Sequence, residues 1–331
     1  MSDRMERDRP LAAPGLVVQA VESVRRAADR QERMHALAVL RAELTGLSKS
    51  NALQAVLELL RSGGDAPTGL EFGIGGDGFL ASAPTLRVFL LDYLARIDSA
   101  AAAEYAREVL RSYGSADEWA VAFRSYALAN DSLDDRRFLR ERFAAMVTHE
   151  PWRQNPSTGF LEAFDVAVFV GGTDLFPLLG DAVRDVGSPA VARAAYLALD
   201  RLVLREPATA LARWQRNPSL LAGREETRAC YFARADVTQP EQREVVERYL
   251  LDPARSTVEL NAFARLFPNA NFMVSPNLLS GPPALTHDEL VRRDRAALEV
   301  VEAWEADPRF AMLQPHLTRV ADRLREYLKP H

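Results

Sequence analysis

The sequence predicts an all-α protein, a superhelical array of antiparallel helix pairs with one small β-hairpin inserted near residues 68–82. Three observations carry this expectation. Apolar residues recur at helical spacing, with short interruptions, from Leu16 to Leu328. Helix-start chemistry recurs over the same stretch, as a hydroxyl residue with glutamate three positions on or as proline at the first helical position. Strand-like alternation is confined to one segment, so the sequence lacks the strand-helix rhythm of a parallel-sheet protein.

Residues 1–14 open with MSDRMERDRP, six charges without an apolar core, and are expected to form a flexible tail carrying no secretory signal. Residues 15–331 are expected to form a single helical domain, because no separable linker divides them. Over residues 68–82, TGLEFGIGGDGFLAS, the apolar Leu70, Phe72 and Ile74 alternate with Glu71 and Gly73, and Asp77-Gly78 tolerates positive φ. Two strands alone are marginal in water, so the apolar face of this hairpin must lie on the helices.

A helix is expected to start at Ala83-Pro84, with Leu86, Phe89, Leu90, Tyr93, Leu94 and Ile97 forming its stripe. Val88 and Leu91 widen that stripe, which suggests neighbours on two sides. Ser115-Ala-Asp-Glu118 reads as a capping box, and Leu139, Phe143, Met146 and Val147 form the next clear stripe. The loop 150–158, EPWRQNPST, holds Trp152 between two prolines. Further starts are read at Ser188-Pro189, Glu206-Pro207, Thr238-Gln-Pro-Glu241 and Ser256-Thr-Val-Glu259.

Residues 267–284, FPNANFMVSPNLLSGPPA, contain four prolines and three asparagines, which forbid a helix. Phe272, Met273, Val274, Leu278 and Leu279 are nevertheless too apolar for a solvated linker, so this irregular loop is expected to be ordered and packed. The C-terminal helices span 286–328, with a capping box at Thr286-His-Asp-Glu289, a start at Asp307-Pro308 and a stripe through Leu313, Leu317, Val320, Leu324 and Leu328. In all, about fifteen helices are expected.

Composition narrows the function classes. A net charge of −5 gives the whole chain no attraction for nucleic acid or an anionic membrane, so either partner would need a local patch. Only Lys49 and Lys329 among the 41 basic residues are lysines, a bias that fits the codon usage of a GC-rich genome. One cysteine, Cys230, excludes an internal disulfide framework and a multi-thiolate zinc site. Its context, Ala229-Cys230-Tyr231-Phe232, reads as that of a small buried side chain. No run approaches the roughly 18 apolar residues of a membrane span, so a soluble cytoplasmic protein without membrane partners is expected.

The search for chemistry returns structural readings. Gly73-Ile-Gly75-Gly76-Asp-Gly78 matches a dinucleotide fingerprint literally, but no second parallel strand follows, so it reads as a hairpin turn. His149-Glu150 opens like a zinc-protease helix, yet Pro151 follows and position 153 is arginine. The five histidines are scattered singly, and neither a phosphate-binding loop nor a G-x-S-x-G elbow occurs. No cofactor, metal site or catalytic residue is therefore named. Glu162 and Asp165, three apart in an apolar segment, would share a helix face, and read either as a solvated edge or as an acid/base pair. Arg136 and Arg140 in the segment 134–142 read as part of an ion-paired helix, with acidic neighbours blunting phosphate attraction.

Each helix pair takes roughly 35 to 45 residues, near the period of helical solenoids. With the short turns at Asp98-Ser99, Gly187-Ser188-Pro189 and Leu251-Asp252-Pro253, residues 15–265 resemble HEAT-type helical repeats. Ala83-Pro84-Thr85-Leu86-Arg87 leading into Leu90-Leu91-Asp92 also resembles a class of uncharacterised bacterial helical-repeat proteins. The hairpin and the 267–284 loop depart from a regular repeat.

Stacked helix pairs present a concave face that binds another protein or peptide, so an interaction scaffold is the expected function. An α/α-toroid-like hydrolase using carboxylates in a central cleft, or a nucleic-acid-binding helical-repeat protein, stays open as an alternative. The helical stripes are committed to the core, which makes loops the address of a partner site. Trp152, Arg153, Asn269, Asn271 and Asn277 are the candidates. Trp152 equally reads as a plug between helices, and the asparagines as side chains that close turns.

Overall fold

The computed structural model describes residues 13–270, 275–281 and 285–329. These contain eighteen α-helices, two short 3-10 helices and one two-stranded antiparallel sheet, so the protein is mostly helical with a small hairpin. The chain clusters into two compact units, Met1–Val166 with Pro276–Ser280, and Ala167–Ser275 with Gly281–His331.

The first unit begins with α1 (Ala13–Arg26), α2 (Arg30–Gly46) and α3 (Lys49–Ser62). Asp29 and Ser48 start α2 and α3 by accepting the Glu32 and Asn51 N–H groups, and Gly63 closes α3 at φ +74°, where a side chain would be strained. The hairpin follows as β1 (Gly73–Ile74) and β2 (Leu80–Ser82), with Gly73 opposite Ser82, Ile74 opposite Leu80, and Gly78 in the turn at φ +78°. Leu70, Phe72 and Leu80 are buried, as the alternation requires.

The next helix, α4 (Leu86–Ile97), starts one cap later than expected: Thr85 accepts the Val88 N–H. Pro84 stays outside because its carbonyl accepts the Thr68 N–H while Pro67 and Thr85 form a bridge that extends the hairpin. Residues from Leu86 to Leu94 are buried almost continuously, since α4 packs on α3, β2, α5 (Ser99–Val109) and α6 (Ala116–Ala129). The unit continues through α7 (Leu133–Thr148), α8 (Glu150–Gln154) and α9 (Thr158–Glu162), and the chain leaves it within α10 (Asp165–Val170).

Two charged ties join α4 to α6. Ser115 caps α6, but Glu118 does not complete the expected box; its carboxylate takes Arg87 Nε and Nη2, each at 3.0 Å. A bidentate guanidinium is the stronger partner for a half-buried carboxylate. One turn further in, Asp92 accepts from Arg124 Nη1 at 2.7 Å, from Arg96 Nε at 3.2 Å and from the Leu80 N–H at 2.9 Å. Phe79 lies between the Arg96 and Arg124 guanidinium groups, 4.3 and 4.5 Å from its ring centre.

The second unit runs α11 (Phe176–Arg184), α12 (Pro189–Arg205), α13 (Pro207–Arg216), a 3-10 turn Pro218–Leu221, α14 (Glu225–Phe232), α15 (Pro240–Leu250) and α16 (Thr257–Leu266). After the irregular segment come α17 (His287–Ala306), a 3-10 turn Pro308–Leu313 and α18 (Gln314–Tyr327). Proline occupies the first position of α12 and α13 as expected. Of the three expected boxes here, that of Thr286 and Glu289 forms completely. Thr238 gives its hydroxyl to Asp236, leaving Gln239 to precede α15, and Glu259 turns inward to Arg228 and Arg255 while Ser256 still caps α16.

Within each unit helices pack on their next-but-one neighbour: α1 on α3 and α4 on α6, then α12 on α14, α13 on α15, α14 on α16 and α16 on α18. Buried and half-buried acid-arginine ties follow that step. Arg87–Glu118 and Asp92–Arg124 span 31 and 32 residues in the first unit, and Asp200–Arg234 and Arg228–Glu259 span 34 and 31 in the second. No helix of the described residues is long and apolar enough to cross a membrane.

Candidate functional site

A half-exposed aromatic platform stands out in the first unit, and its geometry follows from three turns. Trp119 on α6 is fully buried, and its indole N–H donates to the Ser112 carbonyl at 2.6 Å. That bond fixes the 110–114 turn, so Tyr113 is held with its ring 5.4 Å from Trp119 while remaining 52% exposed. His149 ends α7 and also precedes α8, and its carbonyl accepts the N–H groups of both Trp152 and Arg153. Pro151 fits this tight start because it has no N–H to satisfy.

The bend brings the His149 ring 4.7 Å from Tyr113 in a near-parallel stack, and Trp152 4.4 Å from His149. Trp152 also meets Trp119 edge-on at 5.2 Å. Four rings are thus mutually braced, with Trp119 as the buried base and Tyr113, His149 and half-buried Trp152 above it. Offset and edge-on ring pairs of this kind are favourable beyond their area. The result is a rigid surface of aromatic faces with a half-buried arginine, Arg153, beside Trp152 in sequence. The surface offers flat apolar area, a cation and an imidazole, with side chains whose freedom is already restricted by their neighbours.

The sequence candidates divide. Trp152 and Arg153 stand together on α8, a short helix where a loop is expected over 150–158, because Pro151 fits a helix start; Trp152 packs on the buried Trp119, as the plug reading has it, and stays half-buried. Asn277 donates its side-chain amide to the Ser280 carbonyl and closes a turn in the first unit. Asn269 belongs to the second unit, where its N–H donates to Ala233, its carbonyl accepts from Arg234 and its side-chain amide approaches Cys230 Sγ at 3.4 Å. Asn271 lies outside the described residues, as do Phe272, Met273 and Val274.

Tyr113 and His149 were not among those candidates. The signal for Tyr113 was an aromatic residue in the short turn before the Ser115 cap, and for His149 its position three before Trp152 across a proline. Among the described residues no three His, Cys, Asp or Glu side chains group as metal ligands would.

The remaining sequence-level sites resolve into structure. Glu162 and Asp165 do not share a helix, because a turn at 163–164 separates α9 from α10. Asp165 is buried and accepts the Leu279 and Ser280 N–H groups at 2.7 and 2.8 Å together with the Ser280 hydroxyl, which anchors 276–280 with Leu278 buried. Along α7, Arg136 pairs with Asp131 and Arg137 with Asp134. Cys230 is buried beside the Tyr196 hydroxyl, and burial pushes its thiol up. No family model, no curated protein and no solved structure matches this chain.

Proposed function

We propose that this protein is a helical-repeat interaction scaffold that binds a protein or peptide through the platform of Tyr113, His149 and Trp152. The observation that carries the reading is Tyr113, an aromatic side chain half in solvent yet stacked on two other rings, Trp119 and His149. Rigid, partly exposed tyrosine and tryptophan are the side chains that most often dominate binding energy at interfaces. The repeat reading, in HEAT-like geometry, is supported by next-but-one helix packing and by four acid-arginine ties whose partners stand 31 to 34 residues apart. An array of that kind holds surface groups on stiff elements rather than on mobile loops.

The test is peptide selection from a displayed library on the immobilised protein. Selected peptides should lose about tenfold or more in affinity on Tyr113→Ala and on Trp152→Ala, with helical content unchanged. Peptides that bind both variants as well as the original would remove the platform from the account.

A further inference from the structure

A concavity, independent of the platform, lies in the first unit between α2, the hairpin and α4. It is a cavity of about 200 Å³. Leu37, Leu70, Leu80 and Phe89 are its buried apolar walls, and Met34 stands at its exposed side. Arg41 also lines it, with its guanidinium 5.2 Å from the centre of the Phe89 ring. Arg41 is exposed and has no carboxylate partner among the described residues. The one acid on the lining, Asp92, is already engaged by Arg124, Arg96 and the Leu80 N–H, so its charge is compensated from behind.

We propose that this cavity binds a small aromatic carboxylate, with the ring among Leu37, Leu70, Leu80 and Phe89 and the carboxylate on Arg41. Size selects the body of the ligand: an apolar cavity of ~150 Å³ holds a benzene ring, so this one takes a ring with a short alkyl linker. Charge selects its head. A free guanidinium beside an apolar slot pairs with a planar carboxylate in bidentate fashion, and its own face remains on Phe89. A neutral ligand would leave Arg41 as it is, and a cation would be repelled by it. The hairpin acquires a reason in the same step, because β2 and the following Ala83 supply one wall of the slot.

The experiment titrates the full chain with 3-phenylpropionate, with the alcohol 3-phenylpropanol and with acetate, following the methyl resonances of Met34, Leu37, Leu70 and Leu80. Shifts at these methyls are expected with phenylpropionate, with affinity about tenfold above that of the alcohol, since a hydrogen-bonded charge is lost in the latter. Acetate should shift none of them. Arg41→Gln should bring acid and alcohol to equal affinity, and Ala38→Trp, a bulky side chain at an exposed lining position, should weaken both. Absence of shifts with phenylpropionate, shifts confined to other residues, or equal affinity for acid and alcohol in the unaltered protein would each overturn the proposal.

Discussion

Replacing Asp92 with alanine should be among the most damaging single changes in the first unit. Its carboxylate is 2% exposed and receives three donors, of which Arg124 is itself fully buried. Without Asp92 that guanidinium keeps the Gly78 carbonyl, at 3.0 Å, as an acceptor, and the Leu80 N–H loses its partner. Burial already pushes the Arg124 guanidinium below the ordinary arginine range, with Asp92 as the largest influence in the opposite direction. Removing one member of a buried pair costs about 3–5 kcal/mol, a large share of a total stability of about 5–15 kcal/mol.

The double variant Asp92→Leu with Arg124→Met removes both charges and should cost less than Asp92→Ala alone. What remains is mainly the orphaned Leu80 N–H, about 1–3 kcal/mol. Native-state hydrogen exchange of the α4 and α6 amides reads these values within the first unit. A cost below about 1 kcal/mol for Asp92→Ala, or a double variant as damaging as the sum of the singles, would refute a paired buried charge.

Two further predictions concern the second unit. A Cβ at Gly180 would lie 2.7 Å from the Leu220 carbonyl, so Gly180→Ala should force α11 from the 3-10 turn and cost about 1–3 kcal/mol in urea unfolding, whereas an unchanged midpoint would contradict that packing. Burial and then the Arg319 charge hold the His316 imidazole below its usual pKa of 6.5. The unfolded chain therefore binds the proton first, and stability should fall as pH drops through 6.5 and level off once the folded imidazole also protonates. His316→Gln should flatten that decline; a parallel profile would show that another group produces it.

The mostly helical class and many of the helix positions were legible because helices announce themselves locally. Ser115, Ser256 and Thr286 cap the expected helices, and the stripe from Leu139 to Val147 is buried as its spacing required. The failures share a cause, which is that a long-range partner outcompeted a local one. Glu118 and Glu259 matched the capping-box pattern, but arginines 31 residues away claimed both. Pro84 matched a helix start, but the hairpin claimed its carbonyl. A full box at Ser132 and Asp135 went unread because aspartate stands where the expected pattern has glutamate.

The candidate site was only half legible. Trp152 and Arg153 stand out as an aromatic and a charge between two prolines, although the segment reads as a loop and its first five residues form α8. The rest of the platform depends on a bond between Trp119 and Ser112 and on the bend at His149, and periodicity encodes neither. The boundary between the two units falls inside α10, where no linker composition marks it.

The central claim, that the protein recognises a partner through its aromatic platform, is tested most directly by calorimetric titration of a selected peptide into the original protein and Tyr113→Ala. Tyr113 is 52% exposed but stacks on Trp119 and His149, so its loss should lower the melting temperature by a few degrees without unfolding the protein. The account predicts at least about a tenfold loss of affinity with that fold intact. Equal affinity in the two proteins would contradict it.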